Sequence, residues 1–210
     1  MGSALSDRGA VPTLKIDPAL ALLEFSSIAV GIQSADAMAK KAVLEVIHPG
    51  TVDPGHYLVL IGGSVAEVEE ALKAGKLIAA DALLDHVFLP GVHPEVVRGL
   101  SGGRDLQPGD ALGIIETTTA PAAIHAADAG VKGAQVNLLE VRLSDGLHGK
   151  GLTFFTGLVS DVEAAVELAS ARVPAGHLVR QVVIPQVEAR LATLIRGQIR
   201  FGPQVGWSGL

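Results

Sequence analysis

The side chains of this 210-residue sequence that could ligate a metal or move a proton are seven histidines and a scatter of carboxylates, with no cysteine. A zinc site on one helix or strand needs HxH, HxxxH or HExxH spacing, so that its ligands project from one face. None of these spacings occurs among His48, His56, His86, His93, His125, His148 and His177, which read as separate surface residues. Neither GxGxxG nor GxxxxGKS/T stands between a strand and a helix, and GxSxG is absent, so a phosphate cradle and a nucleophile elbow are both missing. Without cysteine there is no disulfide and no thiolate-held iron–sulfur cluster. No cofactor is expected. Two carboxylates do recur in matched surroundings, Glu24 in LLEFSS and Glu116 in IIETTT. A carboxylate placed just before a helix can accept bonds from the N–H groups of that turn or serve as a general acid–base. Stabilising the turn is the simpler role.

The elements that carry these residues are rich in small aliphatic side chains. Hydrophobic residues make up 49% of the chain and aromatics only 3%, and the mean hydropathy is +0.43. Such a composition suits flat, closely packed subunit faces, so obligate assembly is expected. A net charge of -6, with 16 lysines and arginines spread along the chain, leaves no basic stripe for nucleic acid. No run reaches the roughly eighteen apolar residues of a membrane span. Residues 1–19 lack the charged start and apolar run of a signal peptide. A soluble cytoplasmic protein is expected, with neither membrane nor nucleic acid as partner.

The chain repeats itself. ALLEFSSIAVGIQSADAMAKKA (Ala21 to Ala42) aligns without a gap on GIIETTTAPAAIHAADAGVKGA (Gly113 to Ala134), pairing Glu24 with Glu116, Asp36 with Asp128 and Lys40 with Lys132. GGSVAEVEEAL (Gly62 to Leu72) aligns on TGLVSDVEAAV (Thr156 to Val166), and HVFLPGVHPEVVRGL (His86 to Leu100) on QVVIPQVEARLATLI (Gln181 to Ile195). A repeat of this length is one structural unit present twice. His93 and His125 are not repeated, facing Glu188 and Gln33 in the other copy, which argues against a shared ligand role.

Periodicity predicts the same elements in each copy. Strands are expected at 20–25, 43–48, 56–61 and 83–89, and again at 111–117, 136–143, 151–155 and 178–184. The first helix of each copy opens on a capping hydroxyl, Ser26 or Ser27 in one and Thr118 or Thr119 in the other, with Pro121 in the first turn. A second helix follows Gly63 and Gly157, with Val65, Val68 and Leu72 answered by Val159, Val162 and Val166. A short helix closes each copy. The expected fold class is α/β (α+β), β-α-β-β-α-β-α twice over, in a ferredoxin-like variant. The expected organisation is an N-terminal extension (1–18), a first repeat (19–101), a Gly- and Pro-containing linker (102–110), a second repeat (111–197) and a tail (198–210) that holds Trp207.

Taken together, ALLEFSS, SADAMAKKA and FLPGVH in the first copy, and LGIIETTT, AADAGVKGA and VIPQVE in the second, resemble the bacterial microcompartment shell domain. The fused, unpermuted order is similar to the tandem-domain class of these shell proteins. The resemblance implies a homotrimer that mimics a hexagonal tile and packs beside hexameric and pentameric tiles in a microcompartment shell. It implies that Lys40 and Lys132 are tile-edge residues that meet a neighbouring tile. It also implies that the hairpin loops line a central pore through Val52, Asp53 and Pro54 in the first copy and Gly146, Leu147 and His148 in the second. These loops depart from the family's Gly-Ser-Gly pattern, and Gly91 and Gln186 stand where the family has an edge arginine.

A structural, non-enzymatic shell protein that passes small polar metabolites is therefore expected. Asp53 and His148 would make the pore polar and sensitive to pH near the histidine pKa of about 6.5. The alternative is a ferredoxin-like small-molecule sensor that forms discrete regulatory oligomers. An enzyme acting at a subunit interface is a weaker third reading, because no catalytic constellation recurs.

Overall fold

The computed structural model describes residues 19–102, 106, 107 and 110–197. The expected terminal extensions, with Trp207, and part of the linker lie outside the described residues. The first repeat runs β1 (Ala19–Phe25), α1 (Ile28–Lys41), β2 (Val46–Val52), β3 (His56–Gly63), α2 (Val65–Ala79), a single 3₁₀ turn at Ala80–Ala82, β4 (Leu83–Leu89) and α3 (Pro94–Leu100). The second runs β5 (Ala111–Thr117), α4 (Ala120–Gly133), β6 (Asn137–Leu143), β7 (Gly151–Gly157), α5 (Val159–Arg172), β8 (Leu178–Ile184) and α6 (Ala189–Gly197). Each repeat forms one four-stranded antiparallel sheet, ordered β2-β3-β1-β4 and β6-β7-β5-β8.

Local chemistry accounts for the element ends. Of the hydroxyl pairs, Ser27 and Thr119 are the caps, accepting from Val30 N and Ala122 N. Ser64 caps α2 by accepting from Glu67 N, and its hydroxyl donates to the Glu67 carboxylate at 2.8 Å, which fixes the cap side chain in place. The strand expected at 43–48 lies later, at Val46–Val52, and includes Pro49 and Gly50. Val43 is 81% exposed and stays out of the sheet. Pro49 is tolerated because β2 is an edge strand, where a missing N–H breaks no inner ladder. Within the expected linker Leu106 is fully buried among Leu112, Leu139 and Phe154, so this residue is part of the second repeat's packing.

Alternation along the central strands gives each sheet two apolar faces. Ala21, Leu23 and Phe25 point to α1 and α2 and close the first repeat's own core with Met38, Val68 and Leu72. Leu20 and Leu22 point the other way, into a core shared with Ala123, Ile124 and Ala127 of the second repeat. Helix α4 packs on β1 and β4 of the first repeat as well as on its own strands, and α3 packs on β6. The small residues of α4 allow this double contact, because a helix covered on both sides must bring its backbone close to two sheets. Gly130 shows the limit, since a Cβ there would overlap the ring of Phe155.

The seam between the repeats is also bonded. Glu24, at 0% exposure, accepts from the backbone N–H of Ala120 at 2.8 Å and pairs with His56 Nδ1 at 2.9 Å. Thr119 donates to Asp85 at 2.5 Å, His93 N donates to Asp128 at 2.9 Å, and Lys132 Nζ donates to the Gly91 carbonyl at 2.5 Å. Glu24 thus serves the first turn of a helix in the other repeat, and the expectation that it stabilises its own turn is corrected. The register explains this: Glu24 lies on the same sheet face as Leu20 and Leu22, where the neighbouring helix arrives.

Burial holds the Glu24 carboxyl above its ordinary value of 4.5, while the bonds from His56 and Ala120 act in the opposite direction. The folded chain then binds this proton more tightly than the unfolded chain does. The stability contributed is fully present below pH 4.5 and is lost as pH rises through the folded value. Glu24→Gln cannot titrate, so its unfolding free energy, measured by urea denaturation followed by circular dichroism, should vary less with pH than the parent's from pH 4.5 upward. An unchanged slope would assign the effect to another group.

Candidate functional site

The two hairpin loops, far apart in sequence, lie side by side. The β2–β3 loop is a tight turn in which Gly55 N donates to the Val52 carbonyl at 3.0 Å, with a cis peptide at Asp53–Pro54. Asp53 and Pro54 are exposed at its tip, and Val52 is the last residue of β2. The longer β6–β7 loop is held by its own bonds. Leu147 N donates to the Ser144 carbonyl at 2.8 Å, Ser144 N to the Lys150 carbonyl at 3.1 Å, and the buried Ser144 hydroxyl to the Gly149 carbonyl at 3.2 Å. His148 takes a left-handed backbone with φ 56, a region that favours glycine but in which histidine is enriched among other residues. Gly146 and His148 are exposed, and Leu147 is half-buried. A Cβ on Gly149 would lie 3.5 Å from Pro54 Cδ and 3.6 Å from His56 Cε1, which is how closely the second loop rests on the first.

Beneath these loops, matched carboxylates carry different partners. Glu24 pairs with His56, and Glu116 pairs with Lys150 at 2.6 Å. His56 and Lys150 occupy equivalent places after their hairpins, so a basic residue recurs opposite a recurring glutamate. That correlation was present in the aligned repeats, but neither partner was singled out from the sequence.

Lys40 and Lys132 lie in the last turns of α1 and α4, and each bonds the aspartate one turn earlier. The Lys40–Asp36 pair is open, with side chains 74% and 59% exposed. In the Lys132–Asp128 pair the aspartate is only 8% exposed, and both residues are tied across the seam to the first repeat. The two lysines are equivalent in sequence and differ in surroundings, because within the chain only α4 is covered by the other repeat's sheet as well as its own.

The histidines are not all surface residues. His48 and His148 are exposed, but the other five are half-buried, which corrects the expectation. His93 caps α3 by accepting from Glu95 N. His177 Nδ1 lies 2.8 Å from the Thr118 hydroxyl. His86 Nε2 lies 2.9 Å from Lys76 Nζ and must accept that bond as a neutral ring. Burial, followed by the Lys76 charge, holds its pKa below the ordinary 6.5. Burial also lowers His125, with Asp85 and Asp128 opposing and Arg172 adding to the effect. Among the described residues no three His, Asp or Glu side chains converge as a metal site. No described helix is long and apolar enough to cross a membrane.

Comparison with known proteins places this arrangement. The BMC domain family matches the chain twice, over residues 19–92 and 111–187. The chain is similar to the bacterial microcompartment shell protein PduT of Citrobacter freundii, at 38% identity over 169 residues, covering 80% of this chain and 92% of that protein. It is also similar to the carboxysome assembly protein CcmO of Synechocystis, at 26% identity, covering 81% of this chain and 62% of that protein. A crystal structure of a microcompartment protein from Desulfitobacterium hafniense superimposes with a TM-score of 0.71 at 44% identity, over 83% of this chain and 98% of that one. A fused, permuted hexameric shell protein of another microcompartment shares the fold, with a TM-score of 0.57 at 19% identity, over 79% and 85% of the two chains. Matched in both repeats, and with shell proteins among its relatives, the chain belongs to the BMC domain family as a tandem of two such domains.

Proposed function

We propose that this chain is a structural, non-catalytic shell protein of a bacterial microcompartment, and that three copies close head to tail into a flat tile. The observation that carries this reading is the inequality of two matched helix faces. Ile124 of α4 is fully buried, whereas Ile32, at the same place on α1, is 53% exposed and Ile28 beside it 38%. The matching receptor face is open as well, since Leu178 is 40% and Val182 42% exposed on β8. Their counterparts on β4 include Val87, fully buried against the second repeat. Laying α1 of one copy on β5 and β8 of the next would repeat the contact already made inside the chain. With two repeats per copy, three copies complete a ring of six.

In that ring the adjoining hairpins would surround the axis. Val52, Asp53, Pro54, Gly146, Leu147 and His148 are then the proposed lining of an opening for small polar metabolites. Lys40 and Lys132 are the proposed edge contacts to neighbouring tiles, including the hexameric and pentameric tiles of the shell. Many modest edges acting together stabilise a layer that no single contact would hold.

Two variants test separate levels of this assembly. Ile32→Asp places a carboxylate in the proposed contact, and breaking apolar burial with an unpaired charge costs about 3 kcal/mol, roughly a hundredfold in affinity. Light scattering should find folded monomers where the parent forms trimers, and trimers of unchanged stability would refute the ring. Lys40→Ala with Lys132→Ala should leave trimers intact but abolish extended sheets in electron micrographs. Sheets that persist would remove the lysines from the edge.

A further inference from the structure

One cleft at the seam has polar chemistry beyond the edge contact proposed for Lys132. It encloses about 480 Å³ between Phe88 on β4, the last two turns of α4 and the end of α5. Small-ligand sites begin at about 300 Å³, so the space is adequate for a compact organic molecule. Its charged and polar lining is His125, Asp128, Lys132 and Arg172, with Phe88 and Leu168 as apolar walls.

The charges leave one cation open. Lys132 is engaged by Asp128 and the Gly91 carbonyl, and the other Asp128 oxygen accepts from His93 N. Among the described residues, by contrast, neither the Arg172 guanidinium nor the His125 ring has a hydrogen-bond partner. The two are near enough for the Arg172 charge to act on His125. Burial favours the neutral ring, which has one N–H to donate. A guanidinium fork beside a neutral imidazole donor fits a planar carboxylate, because Arg can donate two parallel bonds to its oxygens. A single free cation suits one negative charge better than two. The apolar walls suit a short hydrocarbon chain.

The cleft is also peculiar to one seam. Where the second repeat has His125, Leu168 and Arg172, the first has Gln33, Ala74 and Ile78, and Val183 stands in the place of Phe88. The matching cleft at any contact between copies would therefore lack the cation, the imidazole and the aromatic wall. We propose that the Arg172–His125 cleft binds a short-chain monocarboxylate, one per chain.

Calorimetric titration of the full-length protein with sodium butyrate tests this, with butanol, butylammonium and inorganic phosphate as controls. Saturable binding at one butyrate per chain is expected, with a Kd on the order of 1 mM, equivalent to about -4 kcal/mol. Arg172→Ala should weaken it at least tenfold. Arg172→Lys, which keeps charge without the fork, should fall between that variant and the parent. His125→Gln, which installs the first repeat's residue, should weaken binding severalfold, and in the parent the His125 ring resonances should shift with butyrate. The site lies within one chain, so Ile32→Asp should retain binding even if it abolishes assembly. The same variant should bind normally if the ring proposal itself fails. Absence of saturation, equal affinity in Arg172→Ala, or equal binding of butanol or butylammonium would overturn the proposal. Tighter binding of phosphate than butyrate would overturn the monocarboxylate assignment.

Discussion

The physical constraint on which everything else rests is that the first repeat's sheet has two apolar faces and that its α1 and α2 cover only one of them. In the first repeat α1 and α2 close over Ala21, Leu23 and Phe25, which leaves Leu20 and Leu22 in need of a cover from elsewhere. The second repeat supplies α4. Fully covering a single isoleucine or leucine is worth roughly 2 kcal/mol, so a face of several such residues outweighs the loss of freedom in docking two small units already joined by a linker. Fusion therefore removes one open seam and leaves the complementary surfaces at the two ends, α1 and β8, without an intrachain partner.

The seam within the chain is chemically distinct from one that these ends could make. Inside the chain the receptor face carries Glu24, His56 and Asp85, bonded to Thr119 and the start of α4. On the second repeat the same places hold Glu116, Lys150 and Arg180. A glutamate remains in both, where it can accept the orphan N–H groups of an arriving helix. The surrounding charge changes from acidic to basic. Such alternation discriminates between two seams of nearly the same shape, since a like charge placed against its counterpart costs affinity that shape alone would not recover.

The hairpins obey a looser rule. They lie outside both cores, so their residues are constrained only by turn closure and by contact with each other. One closes in a two-residue turn around Asp53–Pro54, and the other folds over Ser144 with left-handed residues at Ser144, Gly146, His148 and Gly149. Divergence between the copies concentrates there, while the matched carboxylates Glu24 and Glu116 and the cap hydroxyls beneath them are retained.

Much of this was legible in the sequence because it is local or repetitive. Alternating and helical periodicities, the capping hydroxyls and the order of motifs placed nearly every element and identified two copies of one domain. Strand β2 was misplaced by a few residues because a proline on an edge strand looks the same, in one dimension, as a proline that ends one. What the tertiary structure alone decided were pairings between distant residues: Glu24 with Ala120 and His56, Asp85 with Thr119, Asp128 with His93, and Arg172 near His125. These depend on how one repeat docks against the other. The same fact ties Lys132 across the seam to Gly91 and leaves Lys40 bonded only within its own helix, to Asp36, although the sequence writes them as equals. A repeat specifies what each copy can touch, but which copy is touched depends on where the chain places its neighbour.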